Sequence, residues 1–243
     1  TATNVFPHLQ NLSDFAKSLK ILMAKDGIFV LEAHYLKNLL NDCAFDTIYH
    51  EHTSYWSVSA VKKFCEINDL NLFKVEKLGI HHGQIRCWIS RKNIMKIDKN
   101  LKRILKSENI ENITSKKYLI KFKNKINNNK KKLFSLMNKI QRSGQELIGY
   151  GAPAKATTLL CFFGIKKNKL KFIVDKNPLK HHHLIPGVGI PIYSQNKIYK
   201  SNVSYMINFA WNFIDEILNE NKSFLKQGGK IINPIPKLKI YKM

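Results

Sequence analysis

Between Glu146 and Asp175 the chain reads as a strand, a glycine turn, a helix and a second strand. Leu147-Ile148 is a short apolar run, Gly149-Tyr150-Gly151-Ala152-Pro153 is a turn, and Ala154 to Phe163 suits a helix. Leu170 to Val174 is apolar again and ends at Asp175. Two strands separated by a helix are normally parallel, because a parallel pair needs a long crossover and an antiparallel pair does not. The alternation continues with a strand at Val203–Phe209, a helix from Asn212 to Leu225, a Gly228-Gly229 turn and a strand at Lys230-Ile231-Ile232. Residues 144–243 are therefore predicted to form a small Rossmann-like domain.

The first part of the chain alternates in the same way. Leu12, Phe15, Leu19 and Leu22 mark one face of a helix, and Ile28-Phe29-Val30-Leu31 reads as a buried strand with Glu32 at its carboxyl end. Tyr35 to Leu40 suits a short helix, and Ser57 or Ser59 would cap a helix running to Asn68. Leu70–Val75 and Gln84–Ser90 read as a hairpin at the sheet edge, with Gly79 and Gly83 between them. Residues 96–143 read as a basic helical connector whose packed stripe is Leu119, Phe122, Ile126, Leu133, Met137 and Ile140. The predicted class is α/β, with domains at 1–95 and 144–243 on either side of this connector.

A chain of 243 residues carrying a net charge of +24 invites a polyanionic partner. Arg is scarce beside Lys, however, and the planar fork suited to reading bases or phosphates is mostly missing. Nucleic acid is therefore not expected as a partner. No apolar run is long enough to span a bilayer, so no membrane partner is expected either. Cys43, Cys65, Cys87 and Cys161 form no Cys-x-x-Cys pair, which argues against zinc within this chain and for reduced thiols in a cytoplasmic protein. There is no initiator Met, and Val5-Phe6 is placed like the end of a strand, so the chain is expected to be part of a longer one.

Asp46 to Ser57, with the sequence DTIYHEHTSYWS, packs an acid, a phenol, two imidazoles and further aromatics into a segment without periodicity. Such polar density suits a solvated loop or the wall of a site. Either His50 or His52 could serve as a general base near neutral pH. Both could also ligate a metal, though no third ligand is fixed by the pattern. A decorated surface loop is the remaining reading, and residue chemistry alone leaves all three open.

YHEHTSYWS, preceded by NVFPHL, resembles the sugar C-methyltransferases that act on nucleotide-linked keto-deoxysugars. Further similar stretches are HHGQIRCW, LIGYGAPAKATTLL, VDKNPLK, IPGVGIPI and AWNF, which follow the family's order over nearly the whole chain. The resemblance implies the second half of a Rossmann-like methyltransferase domain followed by a second small Rossmann-like domain. It implies S-adenosylmethionine as cofactor, a nucleotide sugar as substrate, and zinc held only in a cysteine-rich N-terminal module that lies outside this chain. No metal is expected among the residues present, and the chain alone is expected to be inactive.

Mapped by motif, His52 resembles the base that removes a proton next to the sugar ketone. Tyr49 and His8 resemble polar groups near the sugar, and Glu51 would orient the imidazole or touch the substrate. Asn4, after a strand end, is a candidate cofactor contact. His81, Arg86, Gly149, Gly151, Lys155, Asp175, Asn177 and Asn212 are candidate substrate contacts, with Lys180 a weaker one. In His81-His82-Gly83, His82 stands where the family carries a small residue, and His181-His182-His183 is read as surface.

Two rivals follow from the same residues. Asp175 lies twenty-four residues beyond Gly151, close to the Rossmann spacing between glycine turn and ribose acid, which suggests an NAD-dependent oxidoreductase. GYGAPAKA lacks the third glycine of that pattern. The second rival is a basic module for RNA or another polyanion. The oligomeric state is open.

Overall fold

A computed structural model describes residues 1–79, 83–92 and 94–243 of the chain. It folds into two α/β units: Thr1–Asn41 with His50–Lys121, and Asp42–Tyr49 with Phe122–Met243. Among the described residues no helix is long and apolar enough to cross a membrane.

The first unit runs β1 (Ala2–Thr3), α1 (Leu12–Leu22), β2 (Ile28–His34), α2 (Leu36–Asn41), α3 (Val58–Ile67), β3 (Leu70–Leu78), β4 (Gln84–Arg91) and α4 (Lys99–Glu111). Its sheet order is β1-β2-β4-β3, with β1 parallel to β2 and the other pairs antiparallel. The predicted hairpin is present, and β3 is the edge strand. Alternation sends Phe29, Leu31 and Ala33 of β2, with Ile85, Cys87 and Ile89 of β4, into one core with Phe6, Val61, Phe64, Leu101 and Ile104. Burying that face supplies most of the unit's stability. Asn11 caps α1 by accepting from the Asp14 N–H, and Ser57 rather than Ser59 caps α3.

The predicted basic connector is two helices, α4 and α5 (Lys116–Arg142). Asn112 breaks them with a φ of 47°, a left-handed conformation that Asn tolerates better than most residues. The apolar stripe of α5 holds from Ile126 onward, where Leu133 and Met137 are fully buried. Leu119 departs from it and is 46% exposed, on a first stretch that groups with the first unit.

The second unit continues with β5 (Glu146–Tyr150), α6 (Ala154–Phe163), β6 (Ile173–Val174), β7 (Ile192–Tyr193) and β8 (Val203–Asn208). It ends with α7 (Ile214–Glu220), α8 (Lys222–Lys226), β9 (Lys230–Asn233) and β10 (Lys239–Tyr241). The sheet order is β10-β9-β8-β5-β6-β7, parallel except for β10. The chain leaves β5 on one side and later returns on the other, so β5 and β8 flank the switch point where Rossmann-like sheets place ligands. The single predicted helix from Asn212 is instead a 3-10 turn (Trp211–Phe213) and two short helices. They part at Asn221, whose buried side chain donates to the Ile217 carbonyl.

Candidate functional site

The carboxyl edge of the first sheet gathers the polar residues. Asn4 follows β1 with a φ of 57° and donates its N–H to the Glu32 carbonyl at 3.1 Å. Pro7 starts a 3-10 turn over Phe6–His8 that buries Phe6 and leaves His8 exposed. β2 extends past Glu32 to His34, which pairs in register with Gln84 at the start of β4. Gln84 donates to the Asn4 side chain at 2.7 Å. The Gln84 side-chain oxygen is buried without a hydrogen-bond partner among the described residues.

The loop after Tyr49 is stapled to the same edge. The Thr53 N–H and hydroxyl both donate to the Pro7 carbonyl, at 2.9 Å each. The Leu36 N–H donates to the Trp56 carbonyl at 2.9 Å. The half-buried His52 ring sits 5.0 Å from His8 and 5.3 Å from His34, centroid to centroid, with Tyr55 edge-on at 6.3 Å. His8 Nδ1 lies 2.6 Å from the Glu51 carbonyl oxygen. That bond involves the Glu51 backbone, and the Glu51 side chain is exposed. His50 is exposed. Among the described residues no set of three His, Cys, Asp or Glu side chains is arranged to hold a metal.

Arg86, a predicted substrate contact, forms an ion pair with the buried Glu32 and lies over the Trp88 ring. His81 lies outside the described residues. His34 and Gln84 were missed as site residues in the sequence. The signal for His34 was a strand that could run two residues past its assumed end. Gln84 was counted only as the first residue of a strand.

In the second unit the glycine turn closes upon itself. Gly151 has a φ of 82°, and the Ala152 N–H donates to Asp175 Oδ2 at 2.7 Å. Asp175 Oδ1 accepts from the Asn177 N–H at 2.8 Å, and Lys180 reaches both the Ala152 carbonyl and Asp175. Both carboxylate oxygens expected to meet a ribose thus have protein donors. The Gly149 hydrogen faces Ile173 and Phe209, where a Cβ would come within 2.7 Å of each, so its smallness serves strand packing. Asn177 caps the 3-10 turn Pro178–Lys180. His181 bonds the Asp175 carbonyl at 2.8 Å, and His182 meets the Tyr193 ring edge-on.

Lys155, in the first turn of α6, is bonded to Asn212 and lies 4.8 Å above the Trp211 ring. Burial holds its ammonium below the usual lysine range, partly offset by the Asp46 charge. Trp211 Nε1 donates to Asp46 Oδ2 at 2.7 Å, and both residues are buried. Burial lifts the Asp46 carboxyl from 3.8 to about 6, against the opposing pull of Lys155 and the Trp211 N–H. The folded chain therefore holds that proton more tightly than the unfolded chain. Its contribution to stability is present below about pH 4 and is lost as pH rises through about 6. Thermal melts from pH 4 to pH 7 should show Asp46→Asn gaining stability relative to the parent as pH rises.

A family model described as C-methyltransferase C-terminal domain matches residues 79–236, more than half of the chain. The chain is 29% identical over 236 residues to C-methyltransferase NovU of Streptomyces niveus, covering 97% of this chain and 56% of that protein. It thus spans about half the length of the curated relative it matches. The matched region takes in β4, the α4–α5 pair and the second sheet through β9, and the chain belongs to the C-methyltransferase C-terminal domain family.

Proposed function

We propose that this chain forms part of an enzyme that methylates a carbon next to the ketone of a nucleotide-linked keto-deoxysugar. S-adenosylmethionine supplies the methyl group on a sulfonium. The observation that carries the reading is the His52 ring, half-buried between His8 and His34 at the carboxyl edge of the first sheet. A proton on carbon beside a ketone is weakly acidic, so its removal needs a positioned base and a polar environment for the oxygen that gains charge. His52 takes the proton. His8 and His34 flank the place where the enolate forms, and either can donate a hydrogen bond to its oxygen. Tyr49 is assigned a polar contact with the sugar on its motif position.

Asn4 and Gln84 suit the cofactor. They sit at the ends of β1 and β4, on either side of β2, and the buried, unmatched Gln84 oxygen is an acceptor that an α-ammonium group would satisfy. The second unit is assigned to the nucleotide sugar through Lys155 and Asn212 rather than to NAD. The internal bonding of Asp175 speaks against the NAD reading.

The test uses the intact enzyme, S-adenosylmethionine carrying a labelled methyl group, and a nucleoside-diphosphate 4-keto-deoxysugar. Mass spectrometry should find the label on a ring carbon of the sugar. Tight NADH binding, with no label transferred to any keto sugar, would overturn the proposal.

A further inference from the structure

We infer that Asp46 is a positioning residue for an anion site in the second unit: its bond to Trp211 sets the indole as the floor that holds Lys155 for the diphosphate of the substrate. The inference rests on the assignment of this unit to the nucleotide sugar, and every group it uses lies within the unit.

Four observations carry it. The first is the chemistry of the atoms at the switch point. Lys155 follows β5 in the first turn of α6, and Asn212 follows β8. The Lys155 ammonium donates to the Asn212 side-chain oxygen. That oxygen is the only acceptor the two side chains carry, so all their other polar atoms are N–H donors. Donors grouped around a cation suit an anion with several oxygens, and in a nucleotide sugar that anion is the diphosphate.

The second is that the ammonium needs the face of the ring. Lys155 Nζ lies 4.8 Å from the centroid of the Trp211 ring. An aromatic ring attracts a cation at its face and repels one at its edge, so a rotation of the indole would lose the contact. The third is the bond that prevents this rotation. Asp46 Oδ2 accepts from Trp211 Nε1 at 2.7 Å. Indole has a single donor, which lies in the ring plane, and together with the Cβ attachment this bond fixes that plane. Asp46 is fully buried, and its Oδ1 has no hydrogen-bond partner among the described residues. Burying an acid in this way is costly, and the nearby Lys155 charge offsets part of that cost.

The fourth is that acid and ring are anchored separately. Phe45, beside Asp46, stacks 5.2 Å from Phe163 on α6, the helix that carries Lys155. Thr47 donates both its N–H and its hydroxyl to the Ala44 carbonyl, which closes the turn around Asp46. The Trp211 carbonyl accepts from Asn233 Nδ2 at 3.3 Å, and Asn233 accepts from Asn208 at 2.9 Å.

The test uses the intact enzyme and measures the Kd of inorganic pyrophosphate, uridine diphosphate and thymidine diphosphate by calorimetry. Lys155→Met should weaken binding about ten- to a hundredfold, the range for a lost charge-assisted hydrogen bond. Asp46→Ala and Trp211→Phe each free the ring or the acid that aims it, and should weaken binding about three- to tenfold, the worth of a partly buried cation–π contact. Asp46→Asn keeps an acceptor for the Trp211 N–H and should stay within about twofold of the parent. In a Lys155→Met background neither Asp46→Ala nor Trp211→Phe should weaken binding further, because their effect passes through the ammonium.

Parental affinity in Lys155→Met, Asp46→Ala or Trp211→Phe would overturn the inference. So would Asp46→Asn binding as weakly as Asp46→Ala, or losses of the same size with and without Lys155, which would make the bond a structural one. If Asp46→Ala does not fold, Asp46→Asn and Trp211→Phe with its double variant decide the matter. If the parent enzyme binds neither pyrophosphate nor either nucleoside diphosphate, the assignment of the second unit fails, and the inference falls with it.

Discussion

Replacing His52 by Asn in the intact enzyme is expected to lower kcat by about a hundred- to ten-thousandfold, the usual range for a lost general base. Asn keeps a polar group of similar reach but cannot accept a proton at neutral pH. KM for the nucleotide sugar should stay near that of the parent, since the imidazole acts in the transition state more than in binding. Deuterium exchange into the sugar from solvent gives the cleaner reading, because it reports proton removal without methyl transfer. The parent should exchange and His52→Asn should not. His50→Asn should exchange normally, since His50 is exposed while His52 is flanked by His8 and His34. A His52→Asn enzyme that exchanges and methylates at near-normal rates would remove His52 from the mechanism.

Glu108→Ala is expected to destabilise the first unit by about 2–4 kcal/mol, the sum of a lost helix cap and a stranded buried donor. Glu108 is 3% exposed on α4 yet serves α3. One carboxylate oxygen accepts from the Val58 N–H at 2.8 Å, and the other accepts from the Ser59 N–H at 2.8 Å and from the Ser59 hydroxyl. These are first-turn N–H groups with no partner inside the helix, and the negative charge suits the positive end of the helix dipole. Ala would leave the N–H of the fully buried Val58 without this acceptor. The Tyr35 hydroxyl, which burial and the nearby Glu108 charge hold in its protonated form, would lose its acidic neighbour. Urea denaturation should show a lower midpoint with little change in slope. An unchanged midpoint would mean that water replaces the carboxylate at no cost.

Much of the fold was legible because long periodic segments bury one face. The α3 cap and Leu19 of the α1 stripe appear in the sequence as they appear in space, whereas Leu22, placed on that stripe, is 83% exposed and Ala16 is buried in its stead. β7 and β10 were not legible. They are two and three residues long, and neighbouring strands supply the pairing that makes them strands. The break at Asn112 was hidden inside a run with uniform helical composition. In the site, His52 was legible through resemblance, and the chemistry of the loop alone would not have separated it from His50. His34 was hidden because β4 pairs with β2 beyond Glu32, a register that no local pattern reveals. Asp46 was visible as an acid among aromatics, but its partner Trp211 lies 165 residues away.

That separation also sets an order of events as the chain leaves the ribosome. Residues 42–49 emerge early, and their partners on α6 and beyond β8 emerge last. Until then Phe45 stays uncovered and Asp46 keeps its hydration. Residues 42–49 are thus synthesised before the parts that cover them, and they gain their final packing only after the second sheet has formed. A cut through the α4–α5 region would not free the second unit whole, because eight of its residues lie on the other side of the cut.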